Sequence, residues 1–318
     1  MTAPALVADI GGTNARFALV GPDGVAGTRI LPCAEFPSLA AAAEAYLDQE
    51  RPAVRPRMGA FALASPITGD IVRMTNLPWE FSVSGVRDAL GLERLEVLND
   101  FTAVALSIPE LGEDDRRQIG EGTPKPGAPV AVLGPGSGLG VSALVPGPGG
   151  WTALATEGGH VTMAPITDRE SAVLAQLRKR HDHVSAERLL SGPGLVNLYE
   201  TLCVIDGRDP GRLTAAQISD AGLSRCNPHA EEALEMFCAM LGTVAGNLAL
   251  SLGAQGGVYI AGGIVPRMLP FFAHSRFRKR FVEKGRMRDY LGPVPTYVVT
   301  HPLPAFLGLR AQLKRPVG

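Results

Sequence analysis

Apolar residues run almost unbroken from Ala5 to Ile10, stop at the pair Gly11-Gly12, and resume from Arg16 to Val20. A short continuous apolar run bounded by glycine is the pattern of a buried strand, so the opening predicts strand, tight turn and second strand. The pattern returns at Val130 to Leu133, Gly134 to Gly140 and Val141 to Val145, and sliding one segment over the other lays Gly12-Thr13 on Gly136-Ser137. Two related halves, each presenting a glycine hairpin, are expected. Leu95 to Leu98 reads as a further strand ending in Asn99-Asp100-Phe101, with a helix over Thr102 to Ile108. Thr167 and Glu170 have capping-box spacing ahead of Leu174 and Leu177, which predicts a helix start. From Glu231 to Leu252 the residues Leu234, Phe237, Leu241, Val244, Leu248 and Leu252 form a stripe at helical spacing, feeding a strand over Gly257 to Ala261. Strands alternating with helices define an α/β protein, whose ligands gather at strand ends. The Pro- and Gly-rich stretches Gly120 to Pro129 and Pro146 to Gly150 are loops. The first serves as a boundary between lobes, as would a point nearer Pro109.

Composition narrows the class. A chain of 318 residues, 46% hydrophobic and 19% charged, has material for two cores. Its formal charge of −1 provides no global field for nucleic acid or an anionic membrane, and neither is expected as a partner. Cys33, Cys203, Cys226 and Cys238 form no CxxC pair and have no metal-ligand spacing with histidine. That disfavours a zinc site or a disulfide framework and fits a reducing cytoplasm. The residues from Met1 to Ala8 lack the features of a secretory signal, so a cytoplasmic location is expected. Glycines and Gln255 interrupt the apolar stretch Leu248 to Val265, which is read as core rather than as a membrane span.

Candidate chemistry sits in the glycine turns. In Asp9-Ile10-Gly11-Gly12-Thr13-Asn14, the glycines bring backbone N–H groups close to phosphate oxygens. Thr13 and Asn14 add donors, and Asp9 is placed to hold Mg²⁺ directly or through water. An ordinary capped hairpin has the same residues. The second loop, Gly134 to Gly140, adds Gly136, Ser137 and Gly138; together the two suit a triphosphate gripped from both lobes. A third turn, Gly262-Gly263, follows the strand to Ala261 and would let adenine approach bare backbone, or serve only close helix–strand packing. No GxxxxGK[ST] loop or protein-kinase lysine strand is present, which disfavours those architectures. Asp100, at a strand end, stands where a general base could meet a bound hydroxyl; equally it could be the N-cap of its helix. Glu157-Gly158-Gly159-His160 holds a carboxylate and an imidazole about two glycines, an arrangement that suits one polyhydroxylated ligand. Glu187 falls in an expected first helical turn, where acids are common. The basic run Arg276 to Arg288 reads as a solvated helix face.

Taken together, the chain resembles the bacterial ATP-dependent glucokinases of non-repressor type, within the sugar kinase, actin and heat-shock ATPase superfamily. The matching segments are Asp9 to Arg16, Pro66 to Asp70, Met74 to Asn76, Asn99 to Val104, Glu157 to His160, His183 to Arg188, Ser191 to Tyr199 and Gly257 to Arg267. The resemblance implies a two-lobe, actin-like ATPase fold of ribonuclease-H-like type around a central cleft. Residues 1–110 with 300–318 would form the small α/β lobe and 111–299 the large one. It further implies ATP and Mg²⁺ as cofactors, glucose as substrate, sugar contacts from Asn99, Asp100, Glu157, His160 and Glu187 with Asp100 as base, and a homodimer. Closure around the sugar would exclude water from the transfer. Ser137, where the family usually has threonine, and Pro135 depart from the pattern of the second loop. An actin-like ATPase would use the same phosphate loops but leave the sugar constellation unexplained. A sugar-responsive repressor would need a DNA-binding segment ahead of the first strand, where about five residues precede it.

Overall fold

The computed structural model describes residues 3–22 and 24–315. Met1, Thr2, Asp23 and residues 316–318 lie outside the described residues, and with them the two ends of the expected small lobe and the start of the stretch read for a signal. The chain divides into two compact units: residues up to Gly112 with those from His301 onward, and Glu113–Thr300.

The first unit contains β1 (Ala5–Ile10), β2 (Asn14–Gly21), β3 (Gly24–Pro32), β4 (Met58–Leu63), β5 (Ile71–Arg73), β6 (Glu80–Ser82) and β7 (Arg94–Asn99). Its main sheet has the order β3-β2-β1-β4-β7, while β5 and β6 pair separately. β1 runs parallel to β4, and β4 to β7, whereas β1, β2 and β3 are joined antiparallel. β1 lies mid-sheet with both faces covered, which is why its apolar run is continuous rather than alternating. The helices are α1 (Leu39–Glu50), capped by Ser38, α2 (Val83–Ala89) and α3 (Asp100–Ser107). The C-terminal helix Pro304–Leu313 returns to pack on α3. At Gly308 the two backbones come so close that a Cβ would stand 1.7 Å from the Ala103 carbonyl oxygen.

The second unit repeats this topology. It holds β8 (Arg116–Ile119), β9 (Val130–Pro135), β10 (Leu139–Gly147), β11 (Gly150–Ala155), β12 (Val258–Ile260) and β13 (Thr296–Val299), in the order β11-β10-β9-β12-β13-β8. Here β9, β12 and β13 are the parallel set, and β9, β10 and β11 the antiparallel meander. The additional edge strand β8 runs antiparallel to β13. Each unit therefore has an antiparallel meander whose first strand continues into a parallel set, the α/β architecture expected of an actin-like ATPase. Its helices include α4 (Asp168–Leu177), α5 (Gly192–Ile205), α6 (Ala215–Leu223), α7 (Pro228–Leu252), α8 (Leu269–His274) and α9 (Phe277–Val282). Asn227 and Pro228 start α7, and Gly253 ends it in the left-handed region at φ 61°. α7 is long and apolar enough to cross a membrane, but 78% of its apolar window is buried inside the protein, as befits a core helix.

Two local expectations need correction. Thr167 caps α4 by accepting from the Glu170 N–H at 3.2 Å, yet the Glu170 carboxylate does not complete a capping box. It instead accepts from the Ile166 N–H at 2.7 Å and from the buried Arg280 guanidinium at 2.7 and 3.1 Å. The basic run is accordingly a solvated face only in part: Arg276, Lys279, Arg286 and Arg288 are exposed, whereas Arg278, Arg280 and Lys284 turn into the protein. Arg280 is 1% exposed and also donates to Thr243 Oγ1. Arg278 donates to the carbonyls of Val294, Glu121 and Gly292 and lies over the Phe281 ring, while Lys284 donates to Thr243 O and Asn247 Oδ1. Helical charge spacing cannot reveal partners that lie far away in sequence.

Candidate active site

Within the first unit, strand register aligns the candidate residues. Ile10 pairs with Leu63, and Leu63 with Asn99. The turn after β1 and the Asn99-Asp100 step after β7 therefore leave the sheet at one edge, two strand spacings or roughly 10 Å apart. Gly11 N–H donates to Asn14 O at 3.0 Å, and Cys33 N–H donates to Thr13 O at 2.8 Å, closing the Gly11-Gly12-Thr13 turn from both sides. Asp9 pairs with Arg16 across the hairpin, and Arg16 Nη1 donates to Asp9 Oδ2 at 3.0 Å. Burial pushes the Asp9 carboxyl above the ordinary carboxylate range, and Arg16 only partly offsets this.

The capping alternative for Asp100 falls to its neighbour. Asn99 is the N-cap of α3, its Oδ1 accepting from Phe101 N–H at 2.9 Å and Thr102 N–H at 3.2 Å. Asp100 is the first residue of the helix proper, half-buried, with Oδ1 accepting from Phe101 N–H at 2.8 Å. The helix N-terminus favours a negative charge at this position. The Asn99 amide NH₂ takes no part in the cap, which uses Oδ1.

In the second unit, three segments interlock. The hairpin between β9 and β10 is closed by Gly136 N–H donating to Gly138 O at 2.8 Å, with Ser137 exposed at its tip. Glu157 to His160 folds into a 3-10 turn in which His160 N–H donates to Glu157 O at 3.0 Å. Their side chains are 59% and 54% exposed for His160 and Glu157, and His160 Nε2 lies 3.9 Å from Glu157 Oε2. Both thus point outward on one side of the turn. Gly159 is required, since a Cβ there would meet the Leu139 carbonyl oxygen at 2.0 Å. Glu187 does not lie in a helix as expected; it occupies a hydrogen-bonded turn, and α5 starts only at Gly192 under the Ser191 cap. Its carboxylate Oε2 accepts from Leu139 N–H at 2.8 Å, and its own N–H donates to Gly159 O at 2.9 Å. The third turn abuts the same place: Gly262 has φ 80°, and a Cβ on it would meet Pro135 O at 2.5 Å. Gly263 beside it has open space where a side chain would be.

Sequence reading missed the contributions of Arg16, Cys33 and Leu139. Arg16 could have been found from hairpin register, because the partner of the last carboxylate in β1 follows once the turn is placed. Nothing local marks a backbone N–H such as that of Leu139. As a metal ligand, Asp9 has the chemistry Mg²⁺ accepts, since this ion is commonly held by one or two carboxylates together with phosphate oxygens and water. Arg16 engages one carboxylate oxygen only, and among the described residues no cluster of three or more acidic, His or Cys side chains offers an all-protein cage. A single carboxylate beside a phosphate turn therefore fits the ion.

Comparison with known proteins places this geometry in context. Residues 6–316 match the family described as Glucokinase. The chain is 55% identical to a glucokinase of Paramagnetospirillum magneticum, with 99% of each chain covered. It is 51% identical to a glucokinase of Aromatoleum aromaticum, over 98% of this chain and 95% of that one. Among solved structures, a glucokinase from an Antarctic psychrotroph superposes with a TM-score of 0.88 at 40% identity, covering 98% and 99% of the two chains. A glucokinase from Balamuthia mandrillaris in complex with glucose superposes at 0.81 and 19% identity, over 99% and 94%, which speaks to the fold alone.

Proposed function

Because the chain belongs to the glucokinase family and is an ATP-dependent phosphotransferase acting on a hexose, we propose that it transfers the γ-phosphoryl group of Mg-ATP to the 6-hydroxyl of glucose, giving glucose 6-phosphate and ADP. Asp100 accepts the proton of that hydroxyl as its oxygen attacks the γ-phosphorus, help typically worth about 10² to 10⁴-fold in rate. Asn99, Glu157, His160 and Glu187 hold the sugar hydroxyls. The N–H groups around Gly11, Gly12, Thr13, Asn14, Gly136, Ser137 and Gly138 bind phosphate oxygens, and the bare backbone at Gly262-Gly263 accepts adenine. Mg²⁺, held by Asp9 directly or through water, neutralises phosphate charge when bound.

The observation that carries this reading is the register across β1, β4 and β7, which supports Asp9 and Asp100 working at one sheet edge. The choice of glucose leans on the names of the similar proteins. A cytoplasmic location, in keeping with four free cysteines, and the homodimer that the family resemblance implies complete the reading. The test is a panel of hexoses incubated with Mg-ATP and read by ADP release. Glucose should give ADP and sugar phosphate in equal amounts, and 6-deoxyglucose none. Sugar-independent ADP release would overturn the kinase assignment, and faster turnover of mannose or fructose would overturn the choice of glucose.

A further inference from the structure

We infer that Glu187 is a positioning residue for the second phosphate hairpin as well as a sugar contact, so that sugar and nucleotide binding reinforce each other through this one carboxylate. The inference rests on the assignments proposed above and concerns how the site is regulated. Its basis is a hub of three segments within the second unit. Glu187 Oε2 accepts from Leu139 N–H at 2.8 Å, where the hairpin enters β10. Gly192 N–H donates to Gly136 O at 2.8 Å at the opposite side of the hairpin. Glu187 N–H donates to Gly159 O at 2.9 Å, and Ser191 Oγ donates to Glu187 O at 2.8 Å, so the turn carrying Glu187 is itself clamped to the Glu157–His160 turn and to the start of α5. The carboxylate occupies the space a Cβ on Gly138 would need, only 2.5 Å from Oε2.

A carboxylate has two oxygens and about four acceptor sites. With Oε2 engaged by Leu139 N–H, Oε1 retains capacity for a sugar hydroxyl. A hydroxyl bound there restricts the side chain to the rotamer that also holds the hairpin, so each ligand lowers the ordering cost met by the other. Linkage then requires the two effects to be equal in size: glucose tightens nucleotide binding by the factor by which nucleotide tightens glucose.

Calorimetric titration of MgADP and of glucose, each alone and with the other saturating, tests this on the full-length chain and three variants. Removing the carboxylate in Glu187→Ala should weaken MgADP binding without sugar by about tenfold, the scale of one hydrogen bond to a charged group, and abolish the reciprocal tightening. Glu187→Gln keeps an acceptor for Leu139 N–H but turns a donor toward the sugar. It should therefore weaken glucose while leaving MgADP within about threefold of wild type, since a neutral acceptor keeps about half the strength of a charged one. Gly138→Ala, whose methyl displaces the carboxylate, should weaken glucose although the change lies in the phosphate hairpin. Unchanged MgADP affinity in Glu187→Ala, or an equal loss in Glu187→Ala and Glu187→Gln, overturns the positioning role. Unchanged glucose affinity in both Glu187 variants would instead remove Glu187 from the sugar site. If Glu187→Ala does not fold, the Gln variant and Gly138→Ala decide the question by the same readings.

Discussion

At the scale of single residues, Asp9 has one partner in the structure and, in the proposed mechanism, a second in the metal ion. Arg16 binds one of its oxygens at 3.0 Å, and burial raises the cost of its charge. In the proposed mechanism a cation arriving with phosphate relieves that cost. Asp9→Asn keeps the shape and loses the charge, so KM for Mg-ATP should rise and kcat fall at least tenfold while calorimetry finds glucose affinity unchanged; unaltered kinetics would dissociate Asp9 from the metal. Asp9 was legible in the sequence as the last carboxylate before a glycine pair, whereas Arg16 became visible only through register. The Asn99-Asp100 pair is a different case. Both residue types cap helices well, and the choice between them is a one-residue shift in helix phase that sequence leaves open. The structure gives the cap to Asn99. Glu187 was misread as helical, though Ser191-Gly192-Pro193 carried the start signal of α5 a few residues later.

Elements carry these residues into position, and α3 is the one that presents Asp100. It is braced by the C-terminal helix, which approaches closely enough that Gly308 tolerates no side chain. Replacing Gly308 with Val forces the helices apart and should cost about 1 to 3 kcal/mol, as overpacking typically does. Thermal melting should show the loss. Because α3 shifts with it, kcat should fall more than KM for glucose changes; a variant melting like wild type would deny the brace. The repeating strand-turn-strand pattern was readable in the chain because strands buried on both faces, such as β1 and β9, are almost uniformly apolar and glycine marks their ends. The edge strands β3, β8 and β11 were not singled out, since half-exposed sequence at a sheet edge does not stand apart from loop. The pairing of a C-terminal helix with α3 has no local signature either.

For the molecule as a whole, the buried Arg280–Glu170 pair links α9 to α4, with Thr243 of α7 completing the donors' partners. Burial alone would raise the Glu170 carboxyl, but hydrogen bonds from Arg280 and from the Ile166 and Thr167 backbone outweigh it and hold the carboxyl below its ordinary value of 4.5. A depressed value means the unfolded state binds the proton more readily, so this contribution is fully present above about pH 4.5 and fades as the pH falls through the lower folded value. Glu170→Ala leaves Arg280 buried without its counter-charge and should cost about 3 to 5 kcal/mol near neutrality. Urea unfolding at pH 7 and at successively lower pH should show the gap between variant and wild type narrowing with acid. A gap independent of pH would mean the carboxylate's charge does not matter. No spacing rule in the sequence joined these two residues, because their contact depends on how three helices assemble.

Catalysis is the property to which all of these scales contribute, and in the proposed mechanism its central element is the carboxylate at the start of α3. The most direct measurement is single-turnover formation of glucose 6-phosphate by Asp100→Asn beside a calorimetric titration of glucose into the same variant. The account predicts a transfer rate lower by about 10² to 10⁴-fold with glucose affinity close to wild type. Transfer at near wild-type rate would contradict it.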